Sequence, residues 1–147
     1  MSDNNVKVLQ ELVQIANDSA RFYDDARQEV KNPSLQNLFG RMAQAKRNLI
    51  GALGNRITLA GEEVPDRGTI AGSLHKAYTD IRASLSSREE AVYVGQLEEA
   101  EDRLLAHFTE ALETLDDRVM RDTVLAQMPQ VRACHDEMRQ MKQRLAA

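Results

Sequence analysis

Two residues of this chain, Glu101 and His135, combine the chemistry of metal ligands with positions where helical periodicity predicts burial. Glu101 falls in the middle of an apolar stripe with helical spacing, and His135 lies beside a second stripe. In helical bundles, a carboxylate and an imidazole that project inward from facing helices bind divalent metals. Arg132, three residues before His135, stands where such sites usually carry a second carboxylate. Glu101 and His135 are therefore candidates for metal ligands, but Arg132 argues against a metal centre.

Four apolar stripes with helical spacing predict four long helices. The bounds expected from the spacing are 5–31, 33–60, 88–115 and 118–145. Asn32 and Pro33 separate the first two helices, because proline suits the first helical position. Asp116 and Asp117 supply a turn and a cap between the last two. The sequence thus predicts one all-α domain, residues 1–147, built as a four-helix bundle.

The segment 61–87 is much longer than the turns at Asn32 and Asp116. The short turns force antiparallel neighbours, whereas a long segment can run the length of the bundle. An apolar face within residues 70–85 predicts a short helix that lies on the bundle. The expected fold is a ferritin-like up-down-down-up bundle whose long crossover contains this extra helix. The alternative, an up-down bundle with a protruding loop, would leave that apolar face uncovered.

Four segments carry a resemblance to a known family: the crossover Gly68–Tyr78, the turn Lys31–Phe39, the segment Tyr23–Ala26 and the segment Ala133–Asp136. Together they resemble a bacterial family of small ferritin-like four-helix-bundle proteins that carries a domain of unknown function. The resemblance covers about Val8 to Leu145 and depends mainly on the crossover. It implies the ferritin-like fold and a cytoplasmic location, without an established activity. Tyr78 stands where the family often has Trp, and Pro129 is unusual inside its last helix.

Ferritin-like di-iron proteins take a Glu from each of two helices and a Glu-x-x-His pair from each of the other two. Here Arg132 replaces the Glu of the pair that His135 would complete, and the second helix offers Lys46 but neither Glu nor His on its core face. Asp18 in the first helix points away from its stripe. Only Glu101 and His135 remain as weak metal candidates, with cations beside them. The sequence therefore predicts no cofactor, and iron or manganese held by an atypical ligand set is the alternative.

A buried carboxylate without a partner costs several kcal/mol, so Glu101 needs a cation or a proton. We expect a buried polar cluster in which Glu101, Lys46 and His135 are hydrogen-bonded, with Arg132 near them and Tyr23 touching them. No catalytic or cofactor-binding residue is assigned. An enzyme that used Glu101 as an acid or base would need a solvent-connected pocket at that residue.

The composition, 42% hydrophobic and 29% charged residues in a chain of 147, is that of a soluble helical protein. The N-terminus lacks the basic and apolar regions of a signal peptide, and the single cysteine cannot form an internal disulfide. Both features predict the cytoplasm. A net charge of −4 without a basic stripe argues against nucleic acid as a partner. No stretch approaches the roughly 20 apolar residues of a bilayer span, so no membrane association is expected.

Two local features lead to further expectations. Gly40, Gly51 and Gly54 on the second helix would allow another chain segment to approach closely. The crossover and a second subunit are the candidates, and the third alternative is that nothing approaches these glycines. Pro129 removes a backbone donor, so a bend is predicted in the last helix just before Arg132. We expect a homodimer, because C2 pairs are the commonest assemblies. The expected function is a non-enzymatic bundle with a structural, interaction or stress-associated role, whose protein partner the sequence leaves open.

Overall fold

The structure is a computed structural model that describes residues 2–66 and 89–146. Within those ranges the regular secondary structure is α-helix, in four helices joined by turns and irregular chain: α1 (Ser2–Glu29), α2 (Pro33–Leu59), α3 (Glu89–Thr114) and α4 (Arg118–Ala146). Each begins and ends within a few residues of the bounds expected from the spacing. The all-α prediction is thereby confirmed for the described residues. The short helix expected at 70–85 lies outside them.

The helix ends follow from residues with capping chemistry. Asn32 caps α2, because its Oδ1 accepts a hydrogen bond from the backbone N–H of Ser34 at 2.8 Å, and Pro33 occupies the first helical position. Gly61 follows the end of α2 with φ of 81°, a left-handed conformation that glycine adopts without a steric penalty. Asp117 caps α4 by accepting from the backbone N–H of Met120 at 3.0 Å.

The four helices enclose one long interior with two apolar halves. α1 packs on α2 and α3, and α4 packs on α3 and α2. One half contains Leu9, Leu53 and Leu104, and the other contains Phe39 and Leu97; all of these side chains are fully buried. Burying a leucine or phenylalanine stabilises a fold by about 1.5–3 kcal/mol. The stripes are therefore the main source of stability, and their positions fix which faces of the helices meet.

Contacts between helix ends give the relative directions of the helices. Asn5 near the start of α1 bonds to Asp116 after the end of α3, with Nδ2 donating to Oδ1 at 2.6 Å. The backbone N–H of Asn32 donates to Glu90 at the start of α3 at 3.0 Å. α1 and α3 are therefore antiparallel. Arg41 near the start of α2 pairs with Glu137 near the end of α4, so these two helices are antiparallel as well.

The segment that follows α2 lies along α1. Three side chains of α1 donate to its backbone carbonyls: Gln10 to Glu63 at 3.0 Å, Asn17 to Pro65 at 3.1 Å and Arg21 to Asp66 at 3.3 Å. Because the donors advance along α1 as the acceptors advance along the chain, residues 63–66 run back from the end of α2. The segment thus begins a path along the outside of the bundle.

Gly54 is the glycine of α2 that this segment approaches. A Cβ added at Gly54 would lie 3.2 Å from Cγ1 of Val64, whereas one added at Gly51 would have no atom of the described residues within 4 Å. At Gly40 the nearest atoms are those of the Arg27 side chain, at 3.5 Å and beyond. Gly54 is therefore approached closely by Val64, in the chain that follows α2.

The two glycines should respond differently to alanine. Gly51→Ala is expected to raise the free energy of unfolding by about 0.5–1 kcal/mol, because alanine loses less backbone entropy in a helix. Gly54→Ala gains the same entropy but must displace Val64, so we expect no net gain or a loss. Urea unfolding of the two variants measures the difference. Equal stabilisation by both would show that Val64 does not limit the space at Gly54.

Among the described helices, none is both long enough and apolar enough to cross a bilayer.

Candidate functional site

A polar layer of three side chains lies between the two apolar halves of the core. Tyr23 comes from α1, Lys46 from α2 and Glu101 from α3. Glu101 and Tyr23 are 0% exposed and Lys46 is 2% exposed. Each stands on the apolar stripe of its helix, which is why the packing of leucines and phenylalanines places three polar groups at the same depth.

The three side chains converge on one carboxylate oxygen. The ammonium Nζ of Lys46 lies 2.8 Å from Oε2 of Glu101, and the hydroxyl of Tyr23 donates a hydrogen bond to the same Oε2. Nζ of Lys46 also lies over the Tyr23 ring, 5.6 Å from its centroid, where the negative face of the ring attracts a cation. The geometry supplies the carboxylate with both a counter-charge and a hydrogen-bond donor.

The surroundings of Tyr23 keep its hydroxyl protonated. Burial raises the pKa of Tyr23 well above its ordinary value of 10.0, and the charge of Glu101 and the hydrogen bond to it raise that pKa further. A phenolate beside a carboxylate would place two negative charges in a medium of low dielectric constant. Tyr23 is therefore a permanent donor at neutral pH, and its role in the layer is to hold Glu101.

Oxygen Oε1 of Glu101 has none of the polar contacts that Oε2 makes with Tyr23 and Lys46. It is buried, and no residue within 2–66 or 89–146 donates a hydrogen bond to it. An unsatisfied buried acceptor costs about 1–3 kcal/mol, and ordered water commonly meets such an acceptor in protein interiors. The layer therefore holds its carboxylate from one side only.

Cys134 of α4 is a neighbour of this layer. Burial raises the pKa of the Cys134 thiol above its ordinary value of 9.0, and the positive charge of Lys46 offsets only part of that effect. Gln130, one turn earlier, donates weakly to the sulfur at 3.7 Å. At neutral pH the sulfur is therefore a protonated thiol rather than a thiolate nucleophile.

His135 is placed differently from the sequence-based expectation. Its Nε2 contacts Oδ1 of Asp102, and its Nδ1 lies 3.1 Å from Oδ1 of Asp136. Both ring nitrogens are thus engaged away from Glu101, and the expected hydrogen bond between His135 and Glu101 is not formed. The reason is angular: His135 stands at the border of its stripe and faces the side of α3 that carries Asp102.

The carboxylates around His135 change its acid–base behaviour. Burial lowers the pKa of His135, but the hydrogen bonds to Asp136 and Asp102 and their negative charges outweigh that effect. The net pKa is raised from the ordinary 6.5. Arg132, the other residue expected near the buried cluster, is exposed to solvent on α4. The structure therefore brings together Glu101, Lys46 and Tyr23 and separates His135 from them.

Glu98 is a buried carboxylate that the sequence reasoning missed. Helical periodicity predicted burial for the carboxylate of Glu101 and did not identify Glu98, which is only 6% exposed and pairs with Lys142 at 3.3 Å. Ligand atoms of Glu98, Asp102 and His135 all lie within 4.8 Å of one another. The sequence pattern that could have revealed this cluster is the spacing of Glu98 and Asp102, which are four residues apart and share one face of α3. His135 of α4 lies opposite that face.

Comparison with known proteins gives one match. No curated protein and no solved structure matches the chain. A family model described as a domain of unknown function (DUF2383) matches residues 4–114, which include all but the first two residues of α1 and the whole of α2 and α3. The segment Ala133–Asp136, part of the resemblance noted in the sequence, lies beyond the matched residues. Because the model matches well over half of the chain, this protein belongs to the DUF2383 family, whose domain has no assigned function.

Proposed function

We propose that this protein is a ferritin-like bundle in which a buried ion pair takes the place of the central metal, and that it acts as a structural or interaction protein rather than as an enzyme. One observation carries the proposal: Nζ of Lys46 lies 2.8 Å from Oε2 of Glu101 at the centre of the bundle, with both side chains buried. A positive charge is thus already present where a metal-binding bundle of this class would hold its cations.

The ferritin-like arrangement is supported by the directions of the helices. α1 is antiparallel to α2 because a short turn joins them, and it is also antiparallel to α3. α2 and α3 then point the same way, so the end of α2 and the start of α3 lie at opposite ends of the bundle. Residues 63–66 begin a path along α1. These directions support the proposed up-down-down-up order with a long crossover.

The side chains at the centre of the bundle support the proposal that the Lys46 ammonium group takes the place of a metal. The layer offers one carboxylate, one phenol and one ammonium, whereas iron or manganese sites of this fold gather several carboxylates and imidazoles. Lys46 also repels any cation that approaches Oε2 of Glu101, since the two charges would lie within a few ångströms in a medium of low dielectric constant. The site therefore fits a resident ion pair better than a di-iron centre.

A non-enzymatic role is supported by the enclosure of the same groups. A general acid or base must come within hydrogen-bond distance of its substrate. Glu101 and Tyr23 have no exposed surface, and the Tyr23 hydroxyl is directed at Oε2 of Glu101. The layer is thus built to stabilise one packing arrangement of the helices.

The proposal also includes a homodimer in the cytoplasm. Large apolar side chains are exposed on the described helices, among them Leu59, Val119 and Leu125, and C2 pairing is the commonest way in which such surfaces are covered. The free, buried Cys134 is typical of a reducing compartment. The negative net charge supports a protein partner rather than nucleic acid.

The metal content of the purified protein tests the central claim. We expect wild type and Glu101→Gln, both produced with iron and manganese and purified without chelator, to carry equal amounts of these metals. His135→Ala is the matched variant, because His135 does not bond to Glu101. The proposal would be overturned in favour of a di-iron-type protein if the wild type and His135→Ala contained stoichiometric iron or manganese and Glu101→Gln did not. Circular dichroism establishes that both variants are folded.

A further inference from the structure

We propose that Glu98, Asp102 and His135 form a binding site for one divalent transition-metal ion, at the contact between α3 and α4. This site is separate from the polar layer, since its residues bond to one another and to Asp136 and Lys142 rather than to Glu101. It does not depend on the function proposed above, which concerns the centre of the bundle.

The geometry is close to what an ion requires. Zinc binds nitrogen and oxygen ligands at about 2.0–2.2 Å, so its ligand atoms lie about 3–4 Å from one another. The ligand atoms of Glu98, Asp102 and His135 already lie within 4.8 Å of one another. Glu98 and Asp102 are four residues apart on α3 and therefore share a face, and His135 approaches from α4. We expect rotations of the three side chains to close the site around an ion.

The donor set indicates the class of metal. Two carboxylate oxygens and one imidazole nitrogen suit zinc, manganese and ferrous iron, whereas calcium and magnesium prefer oxygen alone and Cu(I) prefers sulfur. The two carboxylates balance the charge of a divalent ion. The Asp102 side chain is 53% exposed, which gives the ion a path from solvent, while the buried Glu98 side chain lies on the inner side of the site. Three protein ligands leave one or more positions for water.

Asp136 has the position of a supporting residue. Metal-binding histidines usually donate their second ring N–H to a carboxylate or carbonyl group, which fixes the tautomer and the orientation of the ring. Nδ1 of His135 lies 3.1 Å from Oδ1 of Asp136, and Nε2 points at Asp102. If Nδ1 donates to Asp136, Nε2 is left with its lone pair toward the proposed ion. Asp136 is therefore a positioning residue for this site.

Lys142 competes with the metal for Glu98. Its Nζ lies 3.3 Å from Oε1 of Glu98, and its side chain is 50% exposed. A half-exposed lysine has many other rotamers in solvent, so it can leave Glu98 when an ion arrives. This competition gives the proposal an unusual signature, because removing Lys142 should strengthen metal binding, whereas removing any residue that holds the ion should weaken it.

Calorimetric titration of the untagged, chelator-stripped protein with zinc chloride, and separately with manganese chloride, tests the site. We expect one zinc ion per chain. Asp136→Asn should weaken binding about 10- to 100-fold, as is typical of residues that orient a metal ligand. His135→Ala should weaken it more than Asp136→Asn does, and Lys142→Met should strengthen it. His107→Ala, which removes an exposed histidine of α3, is the matched control and should bind as the wild type does.

The outcomes are separable. Failure of the wild type to bind either ion would overturn the proposal, as would wild-type affinity in His135→Ala or weaker binding in Lys142→Met. If His135→Ala does not fold, Glu98→Gln and Lys142→Met still predict shifts of opposite sign. Glu101→Gln is expected to bind zinc as the wild type does, so a loss in that variant would instead indicate a metal at the centre of the bundle.

Discussion

Replacing Lys46 with methionine is expected to lower the free energy of unfolding by about 3–5 kcal/mol, because it leaves the Glu101 carboxylate buried without its counter-charge. The side chains of the pair are 2% and 0% exposed, so solvent cannot replace the lost ammonium. Methionine has a similar length to the lysine stem, and the change therefore removes the charge with little change in packing. Denaturant unfolding at neutral pH measures the loss.

Arg41→Met is the matched control for this prediction. Arg41 also pairs with a glutamate at 2.8 Å, but the side chains of Arg41 and Glu137 are 63% and 41% exposed. Exposed pairs contribute about 0.2–1 kcal/mol, so the loss in this control should be small. The double variant Lys46→Met with Glu101→Leu should recover most of the stability that Lys46→Met loses, since an apolar pair leaves no buried charge. Equal losses for Lys46→Met and Arg41→Met would contradict the proposed role of the buried pair.

Pro129→Ala is expected to stabilise the protein by about 1–3 kcal/mol. Pro129 lies inside α4, which is helical from Arg118 to Ala146. Proline in a helix interior is about 3 kcal/mol less favourable than alanine, because it cannot donate to the carbonyl four residues earlier and its ring crowds that carbonyl. The greater freedom of an alanine chain in the unfolded state offsets about 0.4–1 kcal/mol of the gain.

Thermal and denaturant unfolding measure this gain. Arg132→Ala is the control, because Arg132 is exposed on the same helix and already has a backbone donor. Its effect should stay within about 0.5 kcal/mol of zero. A loss of stability in Pro129→Ala would contradict this expectation. It would mean that contacts of the proline ring stabilise the fold by more than the missing backbone hydrogen bond destabilises it.

The elements of the fold were accessible from the sequence because local chemistry determines them. Asn32 and Pro33 mark a helix boundary through one capping oxygen and one fixed dihedral angle, and both act within a few residues of chain. Burial of Glu101 and Lys46 followed from their places on apolar stripes, since a stripe must face the core. The crossover helix expected at 70–85 stays a prediction, because it falls outside the described residues.

The surroundings of His135 could not be predicted in the same way. Helical periodicity gives the angle of a side chain about its own axis, but a residue at the border of a stripe can face either of two neighbouring helices. Whether it meets Glu101 or Asp102 depends on the rotation of α3 against α4, which no local pattern encodes. Glu98 was missed for a related reason: it lies at the edge of the α3 stripe, where its burial and its pairing with Lys142 of α4 depend on how the helices pack.

The separation of the core into two apolar halves has a consequence for how the helices find their axial alignment. A slip of one helical turn, about 5.4 Å, would still bring apolar side chains of either half against other apolar side chains, although their shapes would fit less well. Lys46 and Glu101 tolerate no such slip, since each would be left among apolar side chains without its partner. The polar layer thus marks a single register for α2 against α3, in a core whose apolar contacts would otherwise allow several.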